Sequence, residues 1–298
     1  MASMRDIKRR KGSIQSTQQI TKAMKLVSTV KLQRAKASAE RSRTYFHGMY
    51  DTLQSILGKT KNLQHKYLRT GTDGKVAVVV ITSNRGLAGG YNSNVVKLIT
   101  RGELHDDDLL IYAIGKKGRD ALARDYEIAA DYSGCIEEPV YAEAMRITDR
   151  LLRDFEDGTI SEIYLAYTGF KNTVSHIPTL LKLLPVELAS GREQLDDGTG
   201  NMDEEETAEK DDNLLMNFEP APEEALDLLI PKYISNLIYG GMLQAVAAEN
   251  GARMQAMDSA TSNAEEMIDK LTLQYNRARQ GSITQELTEI IAGANAIS

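Results

Sequence analysis

Three groups of residues in this chain are of types that could do chemistry. Thr82–Asn94 (TSNRGLAGGYNSN) is rich in Gly and Asn, follows an apolar run and opens a helical pattern. Backbone N–H groups at such a strand-to-helix turn can cradle a phosphate. The stretch lacks the Lys-Ser/Thr ending of a P-loop and does not match G-x-G-x-x-G. Gly86, Gly89 and Gly90 therefore read first as the residues a tight turn requires. Gly115-Lys116-Lys117-Gly118 is a second turn of the same kind. Carboxylates are plentiful, but none forms a pair beside a histidine or a metal-ligand cluster, as acid–base catalysis would need. Asp106–Asp108 and Glu204–Glu206 read as solvated loop charges. His47, His65, His105 and His176 are scattered, and the single Cys135 excludes both an internal disulfide and a Cys-based metal cluster. No Ser or His stands in a nucleophile-elbow context. Nothing here argues for an enzyme, and no cofactor or metal site is expected.

The elements around these residues are unusual in length. Residues 3–57 contain no Pro, and Ile7, Ile14, Ile20, Met24, Val27 and Val30 form a narrow apolar stripe. The pattern predicts one helix, roughly 80 Å long at 1.5 Å per residue. A stripe this thin cannot wall a broad core, but it suits a two-helix seam. From about Pro222 to Ala296 the pattern is again helical, about 110 Å if continuous. Met257, Ala260, Ala264, Met267, Leu271, Tyr275 and Ala278 are separated by threes and fours, the spacing of coiled-coil packing. Pro222 followed by Glu223 and Glu224 suits a helix start. Pro231 is expected to kink or open the first turns, and Gly240, Gly241 and Gly251 to weaken the helix by about 1 kcal/mol each. Two long helices at opposite ends of one chain should pair antiparallel.

Between them the period changes. Val76–Ile81 and Leu109–Ile114 are short β-branched runs that read as buried strands, with Ile128–Tyr132, Ile163–Tyr167 and Lys182–Glu187 as further candidates. Helical stretches near 92–101, 116–124 and 139–156 alternate with them, which predicts a small α/β layer structure. The division expected is an N-terminal coiled-coil helix over 1–58, an α/β domain over 72–220 and a C-terminal coiled-coil helix over 221–298. Residues 190–213 are polar and acidic, so a loop is expected there.

Charge is uneven along the chain. Residues 1–43 carry twelve Lys/Arg against Asp6 and Glu40, spaced through the helical pattern, so an acidic protein partner suits them as well as a nucleic acid or a membrane. The longest apolar run, Val76–Ile81, is far too short to cross a bilayer. The opening MASMRDIKRRKG has no following apolar stretch, so no secretory leader is expected and membrane contact should come only through partners. The last stretch, Ile290–Ser298 (IIAGANAIS), is apolar and small, an odd end to leave exposed unless a protein sleeve surrounds it.

The residues converge on one resemblance. QQITKAMKLVSTVKLQRA, beginning at Gln18, is similar to the N-terminal signature of the γ subunits of F-type ATP synthases. Glu249–Asn295 (ENGARMQAMDSATSNAEEMIDKLTLQYNRARQGSITQELTEIIAGAN) resembles the same family more closely still. TSNRGLAGGYNSN, IGKKG, HIPTLLKLLPV and FEP at 218–220 match in order, so the likeness covers nearly the whole chain. It implies two long terminal helices in an antiparallel coiled coil, with an inserted Rossmann-like α/β domain. It implies a rotor held in a ring of three α and three β subunits, beside an ε subunit and seated on a membrane ring of c subunits. Proton flow would turn that ring, and the rotor would drive the β sites through different affinities. Nucleotide and Mg²⁺ would bind to β and α, not to this chain, and the chain would work as a peripheral protein on the cytoplasmic side of the cell membrane. By the resemblance, Met24 and Lys25 would meet an acidic lever loop of β, and Arg279, Gln280 and Thr284 a β catch loop. Phe218 and Glu219 would lie where the foot approaches the c ring, and Ile290–Ser298 would occupy an apolar sleeve.

The chain departs from the family pattern at three places. Asn84–Gly90 carries Asn84 and Ala88 where relatives often have Asp and Cys. Gly281 stands for a usual Ala, and the acidic segment 193–213 lies where photosynthetic relatives carry a redox insert. With no cysteine in that segment, thiol switching there is ruled out. A scaffolding coiled coil would explain the helices but not the ordered motifs, and a nucleotide-dependent enzyme would bind ATP to the isolated chain.

Overall fold

The computed structural model describes residues 4–59, 65–68, 74–102, 104, 108–173, 175–186 and 222–297. Helix α1 spans Met4–Lys59 and helix α5 spans Pro222–Ile297. Between them lie β1 (Lys75–Ile81), α2 (Tyr91–Thr100), β2 (Leu109–Ile114), α3 (Lys116–Leu122), β3 (Glu127–Asp131), α4 (Tyr141–Glu156), β4 (Ile160–Phe170) and β5 (His176–Leu184). The chain divides into two compact units, one of Met1–Ser28 with Met254–Ser298 and one of Thr29–Arg253. The larger takes in parts of both long helices as well as the sheet. The segment 190–213 lies outside the described residues.

Within the larger unit the strands run β3-β2-β1-β4-β5, parallel except for β5, which pairs antiparallel with β4. The order follows from the handedness of crossovers. Connections through α2 and α3 step across the sheet one way, and the return from β3 to β4 through α4 runs the other. Right-handed crossovers then put α4 on the opposite face from α2 and α3. Burial follows the pleat: Val78 and Val80 pack with Val95 and Ile99 of α2, whereas Ala77, Val79 and Ile81 pack with α4 and the two long helices. Because both faces are covered, the central strands are apolar without alternation, which is why they stood out in the sequence.

The expected strand bounds shift at β4 and β5. β4 is eleven residues long, and β5 begins at His176 rather than at Lys182. Pro178 hides that start, since a proline inside a run reads as a break, but an edge strand tolerates it. Helix α5 continues through Pro231. Leu226, Ile230, Ile234, Leu237 and Ile238 are fully buried around it, and that packing outweighs one lost backbone bond.

A short 3₁₀ turn, Lys66–Leu68, is tied to α4 by polar contacts. Tyr67 donates to Glu156 Oε1 at 2.6 Å, and Lys66 Nζ lies 2.9 Å from the same oxygen. The Tyr67 hydrogen bond, then that of Lys66, holds the Glu156 carboxyl below its usual range, and burial pushes the Tyr67 phenol up to about 12. A carboxylate whose pKa falls on folding contributes stability above its unfolded pKa and loses it as pH drops through the folded value. Glu156→Gln is therefore expected to cost about 1 kcal/mol or less at neutral pH, given its partial exposure, and the gap should close between about pH 5 and pH 3. Thermal melts of both proteins across that range check it, and a gap that persists at the acid end would count against the assignment.

Candidate functional site

The Gly-rich turn after β1 was the most chemically suggestive stretch, and its polar groups are satisfied largely from within. The Ser83 backbone N–H donates to Asn92 Oδ1 at 2.9 Å, and the Ser83 hydroxyl to the Arg85 carbonyl at 2.6 Å. Asn84 receives the Lys116 backbone N–H at 3.0 Å and donates to the Ser133 carbonyl at 2.8 Å. Thr82 Oγ1 accepts from the Gly118 backbone N–H at 2.8 Å. These bonds splice the turns after β1 and β2 together. Gly115 has φ +116°, and a Cβ there would meet the Thr82 carbonyl oxygen at 2.0 Å, so only glycine fits. Among the described residues no group of His, Cys, Asp and Glu could hold a metal ion.

The other candidates lie on α1 and α5 in the smaller unit. Along α1 the buried positions are Ile7, Thr21 and Ser28, with Lys11, Ile14, Gln18, Met24 and Lys25 partly buried. Along α5 they are Met257, Ala264 and Leu271, with Ala260, Thr261, Ile268, Tyr275 and Ala278 partly buried. Both series repeat every seven residues, the period of a supercoiled seam. Thr21 Oγ1 and Thr261 Oγ1 are 2.7 Å apart, and Lys25 Nζ lies 2.6 Å from Asp258 Oδ1. As one index rises the other falls, so the helices run antiparallel.

The stripe read from sequence is corrected here. Ile20, Val27 and Val30 are 60%, 58% and 54% exposed, and Met267 also faces out. Their spacing fits a seam as well as the true positions do, but polar Gln18, Thr21, Lys25 and Ser28 occupy it instead. The seam is half polar because threonine and serine hydroxyls can bond across it or back to the preceding turn, as Ser28 does to the Met24 carbonyl at 2.9 Å.

Of the residues expected to meet partners, Met24 and Lys25 are partly buried beside this seam, and Lys25 is engaged by Asp258 of its own chain. Sequence reasoning missed that pairing. Arg279, Gln280 and Thr284 sit together on one exposed stretch of α5, with the Thr284 hydroxyl bonded to the Gln280 carbonyl at 2.9 Å. Ile283, Leu287, Ile290 and Ile291 are exposed nearby. Phe218 and Glu219 lie outside the described residues.

Comparison with known proteins gives a consistent result. The sequence pattern of the family described as ATP synthase matches residues 3–297. The ATP synthase gamma chain of Lachnoclostridium phytofermentans is 60% identical over 299 residues, covering 100% of both chains. The sodium ion specific ATP synthase gamma chain of Acetobacterium woodii is 40% identical over 302 residues, covering 99% of each. Among solved structures, a chain of the Euglena gracilis mitochondrial ATP synthase (OSCP/F1/c-ring) has a TM-score of 0.66 at 18% identity, covering 99% of this chain and 94% of that one.

The ion pair makes its own prediction. Lys25→Glu sets two acids face to face and is expected to destabilise the smaller unit by about 1 kcal/mol, while adding Asp258→Lys should restore most of the loss. Melting of the single and double variants measures this, and a double variant no better than the single would remove the pair from the seam.

Proposed function

Because the chain belongs to the ATP synthase γ chain family, we propose that Met24, Lys25, Arg279, Gln280 and Thr284 are the points at which it touches the catalytic ring. A γ chain is the central-stalk rotor. It couples ion flow through the membrane c ring to conformational change in the β catalytic sites, and it is not itself catalytic. The observation that carries the site reading is the exposed stretch of α5 at Arg279–Thr284, where polar groups and apolar side chains face outward together.

The chemistry suits a rotor contact. Coupling is a difference in contact free energy among rotor angles, so each contact must be strong enough to bias a β site and weak enough to exchange. A guanidinium and an amide on an exposed helix face meet both demands, because water replaces their bonds as the angle changes. Lys25 meets them differently. Its ammonium is half-exposed and already paired with Asp258, so a β acid would share or displace that partner rather than find a free charge. The small apolar tip beyond Ile290 would turn in a sleeve with few interlocking side chains.

The reading extends to an ε subunit beside the sheet and to the cytoplasmic face of the cell membrane, both supported by the family likeness. It also extends to Phe218 and Glu219 as contacts of the foot with the c ring. No helix among the described residues is long and apolar enough to cross a membrane, so membrane contact would run through partners. Native mass spectrometry of the purified complex tests the ε assignment.

Replacing Arg279 and Gln280 together by Ala is expected to lower ATP-driven ion pumping in membrane vesicles by about tenfold or more, since a charge-assisted bond is worth roughly 1.5–3 kcal/mol. Melting of the isolated chain should barely change, because both side chains are exposed. Normal pumping in the double variant would overturn the contact.

A further inference from the structure

Helix α5 contains two glycines at which a side chain from the sheet approaches the helix backbone closely. A Cβ on Gly241 would stand 3.0 Å from Leu165 Cδ2 and 3.7 Å from Tyr167 Cγ, both on β4. A Cβ on Gly251 would stand 2.6 Å from Nε2 of His176, the first residue of β5, and 3.3 Å from Cε2 of Phe170, the last of β4. Phe170 and His176 are paired in register, with ring centroids 5.9 Å apart. Lys36 of α1 places its Nζ 4.7 Å from the Phe170 ring centre, so the end of the hairpin touches both long helices. Ten residues separate the two glycines. At about 100° per residue their notches face directions roughly 80° apart around the helix.

We propose that the β4–β5 hairpin is keyed into α5 at these two notches, and that His176 is a positioning residue whose ring stops the helix from rolling against the sheet under torque. The inference rests on the rotor reading above. Apolar packing resists separation, but a smooth contact resists rolling poorly. A ring seated in a gap left by a missing side chain must climb out before the helix can turn. Two keys on different faces block both rolling and sliding. His176 Nε2 has no hydrogen-bond partner among the described residues, so the hold is steric. Burial keeps the imidazole pKa below its usual value, which leaves the ring neutral in the notch at physiological pH. Two residues further on, Arg253 ties the helix to the turn after β1. It is paired with Glu249 at 2.7 Å and donates to the Gly86 carbonyl at 3.3 Å, with both side chains largely buried.

The test uses the assembled complex in inverted membrane vesicles. His176→Ala is expected to speed amide exchange at residues 249–253 by about tenfold and to lower the ions pumped per ATP hydrolysed. His176→Phe, which returns a ring to the notch, should restore both. Should His176→Ala fail to assemble, Gly251→Ala carries the test, because its new Cβ pushes the ring out and otherwise crowds only the Phe170 ring beside it. Unchanged exchange in the variant that assembles, or a pumping ratio equal to wild type, overturns the key. A wild-type complex that pumps nothing, or that lacks this chain, would instead overturn the rotor reading.

Discussion

Everything in this molecule depends on one helix keeping its backbone bonded from Pro222 to Ile297 while its surroundings change completely. From Tyr233 to Ile238 six consecutive residues are buried, so no face of the helix meets water there. Between Met257 and Leu271 full burial recurs once in seven residues. Beyond Ala278 nearly every described residue is exposed. An amphipathic surface helix has a single face to satisfy, whereas this one must be a core element, then half of a seam, then a bare surface. Its stability is accordingly unequal along its length. The buried part is supported by the sheet and by α1 aromatics such as Phe46, stacked 6.1 Å from Tyr233.

The seam contributes specificity more than stability. Its hydroxyl pair, Thr21 with Thr261, is worth about 1 kcal/mol, and its half-exposed ion pair less. Such polar contacts fix register, because sliding either helix by one turn would leave Lys25 opposite a residue other than Asp258 and separate the two threonines. An all-leucine seam would bind more tightly but would accept several registers. The fixed register matters more here, since an axial slip would shift every residue of one helix against the other.

Legibility in the sequence followed the strength of each physical signal. β1 and β2 were plain because a parallel strand covered on both faces is apolar at every position. The start of β5 was hidden by Pro178, which an edge tolerates. Both long helices were visible from sustained periodicity, and α1 also from its lack of proline, yet the face of α1 was misread at Ile20, Val27 and Val30. Two stripes of similar spacing run along that helix, and the polar one faces its partner. Lys25 and Asp258 could not be paired from sequence, since 233 positions separate them and neither is unusual alone. Arg279, Gln280 and Thr284 stood out only through family likeness, because a polar residue on an exposed helix carries no local mark of its role.

Glycine shows how little a residue type means without its surroundings. From sequence, each glycine in α5 is a cost of about 1 kcal/mol relative to alanine. At Gly241 and Gly251 that cost is offset by close approach, for the space of a missing Cβ is filled by Leu165 and by His176. At Gly281, between Gln280 and Thr284, none of the described residues places an atom within 4 Å of where a Cβ would be, so no close packing among them offsets the cost. The same residue therefore stiffens the helix where the sheet grips it and loosens it beside the polar groups that face outward. Under the proposed contacts at Arg279–Thr284, the rigid part would carry torque and the compliant part would let those contacts exchange.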